Sequence, residues 1–186
     1  VIENLTDTLD AFFNSRMEQV HTCIPGEIVS YSGHKKRLAV VQPLVKLQTS
    51  SGQSIELKPI QNVPVVFPST NRFSMTFDLK KGDGVMLHFS EVGIGNFLNG
   101  GSIVEPDDIS RFSLTDAIAV PGLWGGNKTP DLGDSDEGFN LIYEKTKFKL
   151  TSDSFKIEDG SKNTIESTSN SIILNSNLEV KQSNIL

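Results

Sequence analysis

Gly26-Glu-Ile-Val-Ser-Tyr31, a turn at Ser32-Gly33, then Leu38-Ala-Val-Val-Gln-Pro-Leu-Val45: this stretch sets the class of the fold. Its second run is almost continuously apolar and turn residues separate the two runs, as expected of strands. Working outward, runs of the same kind follow at Ser54–Leu57, Val63–Phe67, Ser74–Phe77 and Val85–Phe89, with a last short candidate at Phe97–Leu98. Ser51-Gly52, Pro68-Ser69 and Lys81-Gly82-Asp83-Gly84 supply the turns between them. The unbroken apolarity of Leu38–Val45 and Val85–Phe89 predicts strands buried on both faces. So many short strands without a helical crossover predict a small barrel or sandwich. A five-stranded Greek-key barrel of the OB type fits the size, although the sequence does not separate it from an SH3-like barrel.

Two different regimes flank this β region. Ahead of it, Ile2, Leu5, Leu9 and Phe12 step by three, four and three, with Phe13 and Met17 beside them and Asp7, Asp10 and Glu18 off the line. That spacing predicts an amphipathic helix ending before His21, packed through the stripe either on its own domain or on a neighbouring subunit. After it, all eight prolines are spent by Pro130, and 17 of the 46 residues from 141 onward are Ser, Thr or Asn. Brief apolar pieces punctuate this polar tail at Tyr143–Leu150, Phe155–Glu158, Thr164–Ser167, Ile172–Leu174 and Leu178–Val180. Leu150, Ile157, Ile165 and Ile172 recur every seven or eight residues. Each piece is too poor in apolar side chains to form a core alone, and stacking copies from several chains would supply one. The competing reading, a disordered polar tail, sits badly with the regular Ile and Phe. The expected layout is a helix over 1–20, a barrel over 21–125, an acidic linker over 126–140 and a stem over 141–186.

Composition excludes several classes of function. At 186 residues, 37% apolar, 22% charged and 8% aromatic, the chain has ordinary globular proportions. No apolar run approaches the roughly 18 residues that span a membrane as a helix. The first residues carry neither basic head nor apolar core, so ordinary secretion is not expected. Cys23 stands alone, and no internal disulfide can form. A formal charge of −6 disfavours general nucleic-acid binding.

No motif carries a specific chemistry, and no enzyme is expected. Gly93-Ile-Gly95-Asn-Phe-Leu-Asn-Gly100 places its third glycine too late for a dinucleotide fingerprint and reads as a turn. Gly122-Leu-Trp-Gly-Gly-Asn127-Lys128-Thr129 has asparagine where a phosphate loop needs glycine. His21, His34 and His88 lack metal-ligand spacing, and His21-Thr-Cys23 offers two ligands where zinc needs three or four. Asp134-Ser-Asp136-Glu137-Gly138 lacks the length of a calcium loop. Phe67, Phe73, Phe77, Phe89 and Phe97 interleave with Arg72, Lys80 and Lys81, as a single-strand-binding face would. The zero net charge of residues 21–125 favours core packing for these rings instead, and leaves an OB nucleic-acid module as the alternative function. No cofactor or metal is expected.

The run His21-Thr-Cys-Ile-Pro-Gly-Glu-Ile-Val-Ser-Tyr31, continuing through Arg37-Leu-Ala-Val-Val-Gln-Pro43-Leu-Val-Lys46, resembles the N-terminal OB domain of phage baseplate central spikes. Val63-Pro-Val-Val-Phe-Pro68, Phe73-Ser-Met-Thr-Phe77, Lys81-Gly-Asp-Gly-Val85, Arg111-Phe-Ser-Leu-Thr-Asp-Ala-Ile118 and Val120-Pro-Gly-Leu123 follow in the same order as in those proteins. The resemblance covers about residues 20–124. It implies a homotrimer whose OB domain caps an intertwined β-helix narrowing to a membrane-piercing tip. Implied partners are the tail tube, baseplate hub proteins and the target cell envelope, and the implied location is the virion tail baseplate or a phage-derived injection particle. Related spikes often bind iron at the tip through a His-x-His motif, but no histidine follows His88, so iron is not carried over. A differently built tip, a separate tip protein and a shortened chain all remain open. Within the stem, inward alternation assigns Phe148, Leu150, Phe155, Ile157, Ile165, Ile172 and Leu174 to the core shared by three copies.

Overall fold

The computed structural model describes residues 4–17, 20–49, 52–128 and 138–175, and the chain divides into two compact units, Val1–Lys128 and Thr129–Leu186. The architecture is mainly β, with a short N-terminal helix. In the first unit α1 (Leu5–Met17) begins after Asn4, whose carbonyl accepts the amides of Asp7 and Thr8. Asp7 in the first turn and Arg16 in the last both complement the helix dipole.

Five strands then form one antiparallel sheet: β1 (Cys23–Tyr31), β2 (Leu38–Pro43), β5 (Ile60–Pro64), β6 (Gly84–Phe89) and β7 (Ala117–Pro121), in the order β5-β2-β1-β6-β7. β3 (Leu47–Gln48) and β4 (Ser54–Ile55) make a small separate hairpin. The register slips once within each of the β1–β2 and β2–β5 ladders, and such bulges increase local twist. The sheet curls into a half-barrel until Val65, just past β5, bridges Ala119 of the opposite edge strand in parallel, with the Val66 amide donating to the Ala119 carbonyl at 3.0 Å.

Side chains alternating at period two fill the concave side: Ile24 and Ile28, Ala39 and Val41, Val85, Leu87 and Phe89, Ala117 and Ala119, joined by Val63, Val65, Phe67 and Leu79. Burial alternates even in the two runs expected to be buried on both faces. In β2 the outward Leu38, Val40 and Gln42 are half-buried, and in β6 His88 is exposed. A curled sheet of this kind encloses only one face, so apolarity on the other does not report burial. Leu44 and Val45, read as strand, lie beyond β2 and are exposed.

Other expectations need correction. Phe97–Leu98 is helical, not extended: α2 (Gly95–Gly100) occupies what read as a glycine-rich turn. Gly93 and Gly95 let the Asp107 carboxylate approach closely, and it accepts the Gly95 amide at 3.0 Å. Ser74–Phe77 is not a strand, and only an isolated bridge, Ser69 to Ser74, remains there.

The second unit is an antiparallel sheet of five strands in chain order: β8 (Phe139–Tyr143), β9 (Thr146–Leu150), β10 (Phe155–Glu158), β11 (Thr164–Ser167) and β12 (Ile172–Asn175). Tyr143–Leu150, read as one piece, is two strands joined through Glu144-Lys145, with Glu144 at φ 53°. Within one chain these strands form a meander, because turns of two to five residues return each strand beside its predecessor. The turns have internal logic. Thr151-Ser-Asp-Ser154 and Thr168-Ser-Asn-Ser171 repeat one device, in which the Thr amide donates to the Ser carbonyl at 2.8 Å and the two hydroxyls bond at 2.9 and 3.0 Å. Between them, Asp159 accepts the amides of Ser161 and Asn163 and the Asn163 side chain, bonds that hold its carboxyl below the usual range. Leu178–Val180 lies outside the described residues.

Candidate functional site

The pairing register of the second unit sorts its side chains by face. Phe139 opposes Leu150, Leu141 opposes Phe148, Leu150 opposes Phe155, and Phe148 opposes Ile157. Ile157 then opposes Ile165, Ile165 opposes Leu174, and Ser167 opposes Ile172. Directly opposed residues share a face. The register therefore brings Phe148, Leu150, Phe155, Ile157, Ile165, Ile172 and Leu174 onto one side, and adds Phe139, Leu141 and Tyr143, which sequence reasoning had not included. The other side carries Lys147, Lys149, Lys156, Glu158 and Glu166, with Lys156 paired to Glu158 at 3.0 Å. That bond and the nearby carboxylates raise the ammonium pKa of Lys156.

Among the described residues of the unit, none buries a side chain of the apolar side. Phe148 and Phe155 are half-buried, while Ile165 and Ile172 are 41% and 67% exposed. An apolar face this continuous is the form of an interaction surface.

The first unit adds two smaller apolar surfaces. The stripe Leu5, Leu9 and Phe12 of α1 is exposed, as are Phe13 and Met17, and the half-barrel buries no residue of the helix; Ile2 lies outside the described residues. Ile103 and Ile109 project fully into solvent from the connection between α2 and β7. That connection is held from beneath by the Asn96 side chain on the Glu105 carbonyl and by Asp107 on the Gly95 amide.

The five phenylalanines assigned to core packing divide. Phe67 and Phe89 are buried, whereas Phe73, Phe77 and Phe97 are exposed because their segments lie outside the sheet. Phe77 stands edge-on to Phe67 at 5.1 Å. His21-Thr-Cys23 does not converge: the Cys23 sulfur sits 3.2 Å from Nδ1 of His88 across the strand pair, while the His21 ring packs on Phe89. Among the described residues no group of three or more His, Cys, Asp or Glu is placed to hold a metal ion. Asp116 is buried, with Oδ1 accepting the Ile94 amide and Oδ2 without a partner.

The model of the phage protein Gp138 N-terminal domain matches residues 24–122. The chain belongs to this family. The Gp138 N-terminal domain thus coincides with the half-barrel, from the second residue of β1 to the residue after β7, and leaves α1 and the second sheet outside it. Membership makes the chain a phage protein and is consistent with a structural component of the virion. No curated protein matches it.

Proposed function

We propose that this Gp138-type protein is a homotrimeric central spike, or hub, of a contractile-tail baseplate. The carrying observation is the uncovered apolar face of the second sheet. Covering it stabilises the chain by on the order of 5–10 kcal/mol, taking roughly half the usual 1.5–3 kcal/mol for each of the seven assigned side chains. Two further copies of the same sheet are the economical cover, since each presents the same need. Three such sheets wind about one axis into a stem of β-helical type, apolar inside and Lys/Glu-bearing outside.

The half-barrel acts as a collar of OB type. The strand order, with its parallel contact between the third and fifth strands of the sheet counted along the chain, supports that reading. Ile103 and Ile109 suit attachment to the tail tube or to baseplate hub proteins. The stem transmits the force of sheath contraction to the target cell envelope, alone or behind a separate tip protein. No step is covalent, no cofactor takes part and no specific nucleic acid is bound.

Molar mass in solution by light scattering tests this directly. Three chain masses at micromolar concentration are expected. A monomer whose stem still resists protease sinks the proposal.

A further inference from the structure

α1 contains 13 residues, none of them buried. A helix of about that length is marginal in water and takes most of its stability from packing an amphipathic face. Its own half-barrel does not provide the packing, for Leu9 and Phe12 stay 46% and 55% exposed.

The spacing of the stripe says what covers it. Leu5, Leu9 and Phe12 follow the d, a, d alternation of a heptad, with Phe13 adding an apolar side chain at the adjoining e position. In the same frame the flanking e and g positions are Thr6, Thr8, Phe13 and Ser15, none charged. Asp7 and Asp10 fall at the outer f and b positions. Identical helices packed side by side bring identical flanks together, where like charges would repel, and this helix keeps its carboxylates away from them. Arg16 occupies the next seam position, where its guanidinium lies over the Phe12 ring at 5.3 Å.

We infer that the α1 helices of three copies pack together as a short parallel bundle along the Leu5–Leu9–Phe12 seam. This rests on the trimeric reading above. So short a seam does not associate free chains; three helices tethered to one assembled stem meet at an effective concentration on the order of millimolar, which drives the bundle. The stem therefore assembles first and the helices follow.

Cysteine trapping in the full chain tests the inference, with Cys23→Ser removing the native thiol. Leu9→Cys and, separately, Phe12→Cys place thiols in the seam, and Asp7→Cys places one on its outer side. Under mild oxidation both seam variants should form disulfide-linked dimers, the third copy staying unpaired, at least ten-fold faster than Asp7→Cys. Non-reducing gels read the linkage and light scattering reads the mass of the same samples. Trimeric mass with equal or absent linkage at both seam positions, as for a helix docked on its own barrel or on another protein, overturns the bundle and leaves the trimer standing. A monomeric mass removes both.

Discussion

At Gly84 the half-barrel leaves no room for a side chain: a Cβ there would lie 2.0 Å from the carbonyl oxygen of Leu123, which is backbone and does not yield easily. The segment after β7 is drawn this close because the Gly122 amide donates to the Gly84 carbonyl at 3.1 Å. Gly84→Ala should cost about 2 kcal/mol or more, the range of substitutions that force backbone apart, and a urea titration of the first unit's unfolding would read it. His21 carries a second expectation at this scale. Partial burial against Phe89 lowers its pKa below 6.5, so the folded protein holds that ring neutral where the unfolded chain begins to protonate it. Its contribution to stability is therefore full above pH 6.5 and declines as the pH falls toward the folded-state pKa. The His21 ring should titrate in NMR with a midpoint below 6.5, and His21→Gln should remove that portion of the pH dependence of melting.

Among the elements, the second sheet explains most about how this chain is built. Lys149 stands directly opposite Lys156 on the polar face, a like-charge cross-strand pair. Lys149→Glu replaces it with an attractive one and should stabilise the sheet by roughly 0.2–1 kcal/mol, visible as a higher melting temperature. Part of the apolar side is legible in the sequence through the seven-to-eight-residue recurrence of Leu150, Ile157, Ile165 and Ile172, but Phe139, Leu141 and Tyr143 fall outside that recurrence. The hairpin at Glu144-Lys145 is not legible. Glutamate at φ 53° is uncommon, and the turn lacks the Gly, Asn or Asp that such a conformation favours. The twin turns Thr151–Ser154 and Thr168–Ser171 were open to reading, since the tetrapeptide repeats almost unchanged after 17 residues. Their signal lies in polar residues, outside the apolar periodicity of the strands.

For the whole molecule, the two units differ in how far their described residues are buried. The half-barrel encloses Ile28, Val41, Val85 and Leu87 completely, while the described second sheet buries nothing. Residues 1–128 produced alone should therefore melt cooperatively. The sheet without partners should bind hydrophobic dyes or aggregate. Ile165 sits mid-face opposite Ile157 and Leu174, so Ile165→Asp in a trimer would gather three carboxylates in an apolar space, at several kcal/mol through desolvation and repulsion. Loss of trimeric mass with an unchanged half-barrel melt is expected. Intact assembly and an unchanged melting profile would show that Ile165 faces no shared core.

The sequence by itself determined that this is a β protein with a helix ahead and a polar, sparsely apolar segment behind. Those properties are local: alternation, turn residues and composition act over a few positions. Only the tertiary structure decided that Phe97 and Leu98 are helical, that Phe73 and Phe77 stay outside the core, and that β2 and β6 are enclosed on one face alone. Each of these depends on groups distant in the chain: Asp107 against Gly93 and Gly95, the absence among the described residues of a sheet partner for 74–77, and the bridge from Val65 to Ala119 that curls the sheet. Hydrophobicity says that a side chain gains by leaving water, and the path of the backbone says whether anything is there to receive it.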